Sequence, residues 1–141
     1  MKLISKSEKD TAEIGKKLSE HLKEGDVIAF YGDLGAGKTH FVSAIAEGIG
    51  YKGETSSPTF ALVNEYLGGR LPLFHFDMYR ISNWEDLYSC GYFDYLEAGG
   101  VTLIEWSENI ESALPEAHIR ISIRTLNNND REIIIEGVET L

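Results

Sequence analysis

Apolar positions near the amino terminus fall at the three-and-four spacing of a helix. Ile14, Leu18 and Leu22 share one face of SEKDTAEIGKKLSEHLK, with Ser7 as N-cap and Gly25 as the stop. A short strand around Leu3 to Ser5 precedes it. DVIAFY is then almost continuously apolar over the length of a buried strand, and THFVSAIAEGIG returns to helical spacing through Phe41, Ile45, Ala46 and Ile49. GYKGETSSPTF is too rich in Gly, Ser and Pro for either period and reads as a loop. FALVNEYL and LPLFHFDMYR read as two strands joined through GGR, a hairpin. SNWEDLYSCGYFDYLEAG is helical with an interruption near Gly91, and VTLIEW is a short buried strand. HIRISIRTL and REIIIEGV alternate on either side of NNND, a second hairpin. Strands alternating with helices, plus two hairpins, predict an α/β fold with a mixed sheet flanked by helices. No repeat, low-complexity tract or linker breaks the chain, and 141 residues suit one domain, residues 1–141, around a single core.

The junction between the second strand and second helix carries the clearest chemistry. GDLGAGKT fits G-x-x-x-x-G-K-[ST] with Gly32, Gly37, Lys38 and Thr39, the pattern of a phosphate-binding P-loop. With Gly at about 7% of residues, a chance match in a chain this long is roughly a one-in-a-hundred event. The strand, loop and helix order around it is the one the motif requires. Glycines let the loop curl so that backbone N–H groups from Asp33, Leu34, Gly35, Ala36 and Gly37 point at phosphate oxygens. Lys38 adds a point charge for the β- and γ-phosphates, Thr39 offers a hydroxyl to Mg²⁺, and the helix directs its positive end at the same anion. The expected ligand is ATP with Mg²⁺.

Composition narrows the class. With 43% hydrophobic and 26% charged residues the chain has the balance of a soluble globular protein. No apolar run approaches the roughly 18 residues of a membrane helix. MKLISKSEKD lacks the apolar core of a secretory signal, and the single cysteine, Cys90, has no internal disulfide partner, so the expected location is cytoplasmic. A net charge of −10 opposes extensive wrapping of nucleic acid. Lys9, Lys16 and Lys23 form one stripe on the first helix, but Glu13 and Glu20 interleave with them, which reads as a solvated salt-bridged face.

Hydrolysis needs more than a P-loop: a carboxylate for the Mg²⁺ shell and a group to orient the attacking water. LFHFD ends at Asp77 and VTLIE ends at Glu105, each an apolar strand with an acid at its carboxyl end, where α/β sheets place ligands. Either acid alone also reads as a strand-end turn or helix cap. The loop with Ser56, Ser57 and Thr59 lies where many P-loop switches carry a hydroxyl that senses the γ-phosphate, and it also fits an ordinary turn. His75, Asp77 and Tyr79 share a strand face by period two, Arg80 is a cation near the expected phosphates, and His75 and Trp106 fit core positions equally well.

GDLGAGKT, SPTF, HFDMYR and IEW stand in the order and approximate spacing of the TsaE (also YjeE) family of small bacterial P-loop ATPases, which the whole chain resembles. The resemblance implies a P-loop NTPase-like fold and a role in making threonylcarbamoyladenosine, the modified base beside the anticodon of tRNA. In that system TsaC makes the activated adenylate, TsaD with TsaB transfers the group, and TsaE supplies ATP binding and hydrolysis to the TsaB–TsaD assembly. Carried onto this sequence, Lys38 and Thr39 would hold phosphate and Mg²⁺, Glu105 would be the second metal-side ligand, and Asp77 would serve the water or metal shell. Ser7 and Arg131 resemble positions where family members close over the base. The acidic charge then fits a protein-docking surface. The aromatic helix with Trp84, Tyr88, Tyr92, Phe93 and Tyr95 is a candidate docking element, core packing being the alternative for about half of them.

Two other classes share the motif. A small-molecule kinase would close an arginine-bearing lid over a second substrate, yet the chain has five arginines and no long insertion. A non-catalytic binding module would use ATP only to organise an interface, against which the presence of both Asp77 and Glu105 speaks.

Overall fold

The apolar runs form strands β1 (Lys2–Ser5), β2 (Val27–Gly32), β3 (Val63–Tyr66), β4 (Leu73–Asp77), β5 (Val101–Glu105), β6 (Ile119–Thr125) and β7 (Arg131–Glu136). The helices are α1 (Glu8–Ser19), α2 (Lys38–Ile49), α3 (Trp84–Ser89) and α4 (Tyr92–Leu96), and a 3-10 segment covers Ser107–Ala113. This computed structural model describes residues 1–32, 37–58 and 62–141. The predicted Asp33, Leu34, Gly35, Ala36 and Thr59 of the site lie outside the described residues.

All seven strands join one sheet in the order β1-β7-β6-β2-β5-β4-β3. The inner strands β6, β2, β5 and β4 run parallel, whereas β7 pairs antiparallel with β6 and with β1, and β3 antiparallel with β4. The sheet is therefore mixed, as the two hairpins predicted. β2, β4 and β5 are buried along nearly their whole length because both faces are covered, whereas β6 alternates and leaves Arg120 and Arg124 on its open face. Ile28, Phe30, Leu73, Leu103 and Ile121 pack beneath Leu18 of α1 and Phe41, Ile45 and Ile49 of α2. Val27, Phe74, Phe76 and Ile104 point the other way, onto Leu87, Tyr92 and Ile110.

Small residues bring α1 and α2 together. A β-carbon on Gly15 would lie 2.7 Å from that of Ala44, and one on Gly48 would strike Ser19. Ser7 caps α1 as expected, its side chain accepting from Asp10 N–H at 3.0 Å, an interaction worth about 1 kcal/mol. The helix stops at Ser19 rather than near Gly25. Arg70 takes its last carbonyl and one in the turn beyond, donating to Ser19 O at 2.7 Å and Leu22 O at 3.1 Å. Gly25 instead ties the next turn to the sheet through its N–H and Gly100 O, 2.9 Å apart. Two lysines of the stripe pair off the helix: Lys16 meets Glu47 of α2 at 3.0 Å, and Lys23, beyond the helix end, meets Asp26 at 2.8 Å.

The aromatic helix breaks at Gly91 into α3 and α4, and its rings divide. Tyr92 is fully buried, packs edge-on against Phe76 and donates to Ala113 O at 3.0 Å; burial pushes its hydroxyl up to about 12. Tyr92 is thus a core residue and not a docking residue. Trp84 and Tyr88 are the exposed ones, at 50% and 69%, and both lie against Phe93. Among the described residues no helix is long and apolar enough to cross a membrane.

Candidate functional site

Three parallel neighbours, β2, β5 and β4, end side by side, with Asp77 and Glu105 at the carboxyl ends of two of them and Gly32 at that of the third. β2 ends at Gly32, and α2 opens at Lys38 behind Gly37, which takes the left-handed conformation (φ 101°) that a β-carbon would strain. Lys38 Nζ turns back to 3.4 Å from Gly32 O, so the ammonium lies across the gap between strand end and helix start. No acidic side chain occupies the first turn of α2 to neutralise its positive end.

Asp77 and Glu105 are the last residues of β4 and β5 and stand directly opposite in register. Both are 8% exposed. By the period of the strands they share the face of Leu73 and Leu103, the face that α2 covers. Asp77 Oδ1 accepts the N–H of Tyr79 at 2.9 Å, and Glu105 Oε2 lies 2.7 Å from His75 Nε2. One oxygen of each carboxylate is held by the protein. The other receives no hydrogen bond from the described residues.

The chain turns sharply after each acid. Tyr79 therefore leaves the face it was expected to share with His75 and Asp77: β4 ends at Asp77, and the carboxylate caps the turn that follows. Asn109 fixes that turn by donating to Met78 O and Tyr79 O. Trp106, next to Glu105, adopts φ 61° and starts the 3-10 segment. Its ring packs on Tyr79 with centroids 4.8 Å apart, and Lys38 Nζ is 5.8 Å from its centre. This contact joins the α2 start to the end of β5. Arg80 is exposed beyond the turn, and Thr39 is exposed on the first turn of α2.

Ser7 and Arg131, far apart in sequence, come together. With Ser5, Glu8, Thr11, Gly37, His40 and Asn129 they line a cleft of about 340 Å³ that opens beside the start of α2. His40 Nε2 is 3.1 Å from Glu8 Oε1, and Arg131 donates to Asn129 O at 2.6 Å. Ser7 serves there while also capping α1. His40, Asn129 and Glu8 were not anticipated. His40 directly follows Thr39 and was open to inference; the other two have no local signal.

The donor set suits a hard cation with a phosphate ligand. Asp77, Glu105 and the Thr39 hydroxyl are oxygen donors, and among the described residues no group of three or more His, Cys, Asp or Glu forms a closed metal site. Mg²⁺ is typically held in this way, by one or two carboxylates together with phosphate oxygens and water.

Comparison with known proteins finds relatives along most of the chain. The family model "Threonylcarbamoyl adenosine biosynthesis protein TsaE" matches residues 5–133. The "tRNA threonylcarbamoyladenosine biosynthesis protein TsaE" of Treponema pallidum is 42% identical over 135 residues, covering 96% of this chain and 99% of that protein. Its Bacillus subtilis namesake is 42% identical over 130 residues, covering 92% and 80%. The crystal structure of Bacillus subtilis YdiB superposes with a TM-score of 0.79 at 36% identity, covering 94% of this chain and 82% of that one.

Proposed function

The chain belongs to the TsaE family of threonylcarbamoyladenosine biosynthesis proteins, and on that premise we propose that it is a Mg²⁺-dependent ATPase acting with the TsaB–TsaD assembly in the cytoplasm. The observation that carries the reading is the pairing of Asp77 with Glu105 in register, beside the Gly37–Lys38 helix start. Two carboxylates that have no lysine or arginine partner among the described residues suit a cation delivered with the nucleotide.

Each residue then has a task. Lys38 and the N-terminal amides of α2 attract the β- and γ-phosphates. The Thr39 hydroxyl and Oε1 of Glu105 would hold Mg²⁺, and Asp77 would serve its water shell. Bound Mg²⁺ supplies charge neutralisation at the phosphates. The cleft of Ser7, His40 and Arg131 lies on the far side of Gly37 from the acids and suits the nucleoside end of ATP. Its polar walls offer hydrogen bonds, and Arg131 offers a planar cation for a base to lie on.

Partners enter through what the site lacks. Arg80, the arginine nearest Asp77 in sequence, is exposed beyond the turn, and among the described residues no arginine pairs with Asp77 or Glu105. A partner surface completes the site, and Trp84, Tyr88 and Tyr79 are exposed rings it could meet. The test is phosphate release from Mg–ATP by purified protein, alone and with TsaB–TsaD. Slow basal turnover that rises when the complex forms is expected. Absence of turnover in both cases, with ATP still bound, would replace the ATPase reading by that of a nucleotide-dependent binding module.

A further inference from the structure

Glu105 is held by a side chain that is itself held. His75 Nε2 lies 2.7 Å from Glu105 Oε2, with the two side chains 1% and 10% exposed. An ionised carboxylate only accepts, so the hydrogen between them sits on Nε2. On the other edge of the ring, Nδ1 lies 3.2 Å from the hydroxyl of Tyr66. That hydroxyl also takes the N–H of Ser56 at 3.2 Å and lies 2.8 Å from the Ser56 carbonyl, and its one proton serves either that carbonyl or Nδ1. Asn64 adds a second hold on Ser56, through the carbonyl at 3.1 Å and Oγ at 3.3 Å. A continuous chain of hydrogen bonds thus runs Ser56–Tyr66–His75–Glu105, from the segment just before Thr59 to the acid at the end of β5.

Both contacts are diagonal across paired strands. Asn64 faces His75 and Tyr66 faces Leu73 in the β3–β4 pair, while His75 faces Leu103 and Asp77 faces Glu105 in the β4–β5 pair. A one-residue slip in either pair would turn a partner to the opposite face of the sheet. Packing alone does not call for an imidazole at this position, because a buried ring is costly unless both nitrogens are matched. Here both are matched, one by a residue of the site and one by a residue tied to the adjoining loop.

We propose that His75 is a positioning residue, holding the Glu105 carboxylate so that Oε1 faces the start of α2, and that Tyr66 links this orientation to the Ser56–Pro58 segment. The proposal rests on the ATPase reading of the site. It adds a route by which loop placement before Thr59 and the acid of the active centre are set together.

Three variants test it. His75→Leu removes both hydrogen bonds, His75→Gln keeps an N–H near the place of Nε2, and Tyr66→Phe removes the hydroxyl that joins Nδ1 to Ser56 while leaving the Glu105 contact in place. His75→Leu is expected to lower kcat for ATP about tenfold, as for lost partners of metal-binding side chains. ATP affinity should stay within about twofold, because the orientation acts on the chemical step. His75→Gln should recover most of the loss. Tyr66→Phe should cost less and add nothing on the His75→Leu background, since its effect passes through the ring. Equal impairment in the Leu and Gln variants would reduce His75 to a packing residue, and additive losses would overturn the Tyr66 link. In nucleotide-free protein, the proton resonance of His75 Nε2–H, assigned by its loss in His75→Gln, should exchange slowly and shift in Glu105→Ala. A rapidly exchanging proton indifferent to Glu105 overturns the proposal. Wild-type protein without ATP turnover would count against the ATPase reading alone, and the resonance would then decide the positioning role.

Discussion

Buried carboxylates stand at two places on the sheet, and they are partnered differently. On the edge formed by β6, β7 and β1, Glu132 meets two cations: Arg124 Nε at 2.8 Å and Lys2 Nζ at 3.3 Å. Arg124 chiefly, and then Lys2, hold its carboxyl below the usual range against the opposing effect of burial. At the ends of β4 and β5, Asp77 has a backbone N–H and Glu105 an imidazole, with no lysine or arginine within 4.0 Å of either among the described residues. Yet these two acids face each other on adjacent strands. The edge acid is neutralised within the fold, whereas the strand-end acids are set close together without an internal cation. On the proposed reading, a divalent ion delivered with the nucleotide would supply the counter-charge at these strand ends.

The largest test of this contrast is to remove charge from the strand ends. Asp77→Asn and Glu105→Gln should each lower ATP turnover by at least about tenfold. Their melting temperatures should hold or rise, because one of two facing charges is gone. Phosphate release and thermal melts check the two halves of this expectation. A large loss of stability in either variant would place these acids in the same structural class as Glu132.

The converse experiment is smaller in effect. Glu132→Gln should lower the melting temperature at pH 7 and leave turnover unchanged. Because the folded carboxyl lies below its ordinary value of 4.5, its stabilisation is complete above that value and is lost as pH falls through the folded one. The gap between wild type and variant should therefore close in acid, which melts recorded from pH 7 to pH 3 would reveal. A gap independent of pH would mean that Glu132 acts through packing.

Smallest of all is Lys2→Ala. The ammonium is 65% exposed, so water already screens it. A fall in melting temperature of no more than about 3 °C is expected, reduced further by salt. A loss as large as that of Glu132→Gln would show that Lys2, and not Arg124, is the main counter-charge at this edge.

Much of this was legible in the chain because it is local. The period of β2, the glycines after it and the spacing of α2 lie within a short stretch, and each follows from backbone sterics and side-chain alternation. Ser7 as a cap needs only its neighbours within one turn. Less was legible at the aromatic helix, where Tyr88 and Tyr92 are both tyrosines at helical spacing but the break at Gly91 sends one outward and the other against Phe76. Periodicity ranks faces and does not say which neighbour will cover them. The early end of α1 escaped for the same reason, since its last carbonyl is taken by Arg70, distant in sequence.

The sequence by itself determined the element types, the P-loop motif and the placing of an acid at the end of two apolar strands. Only the tertiary structure decided that those strands are neighbours in a register setting Asp77 against Glu105, that Tyr66 and Ser56 stand behind His75, and that Ser7 and Arg131 share one cleft with Gly37. The reason is physical. Local conformation responds to interactions within a few residues, whereas strand order and register are chosen by burying both faces of the whole sheet at once. A relation between β4 and β5, or between β1 and β7, exists only after that choice has been made.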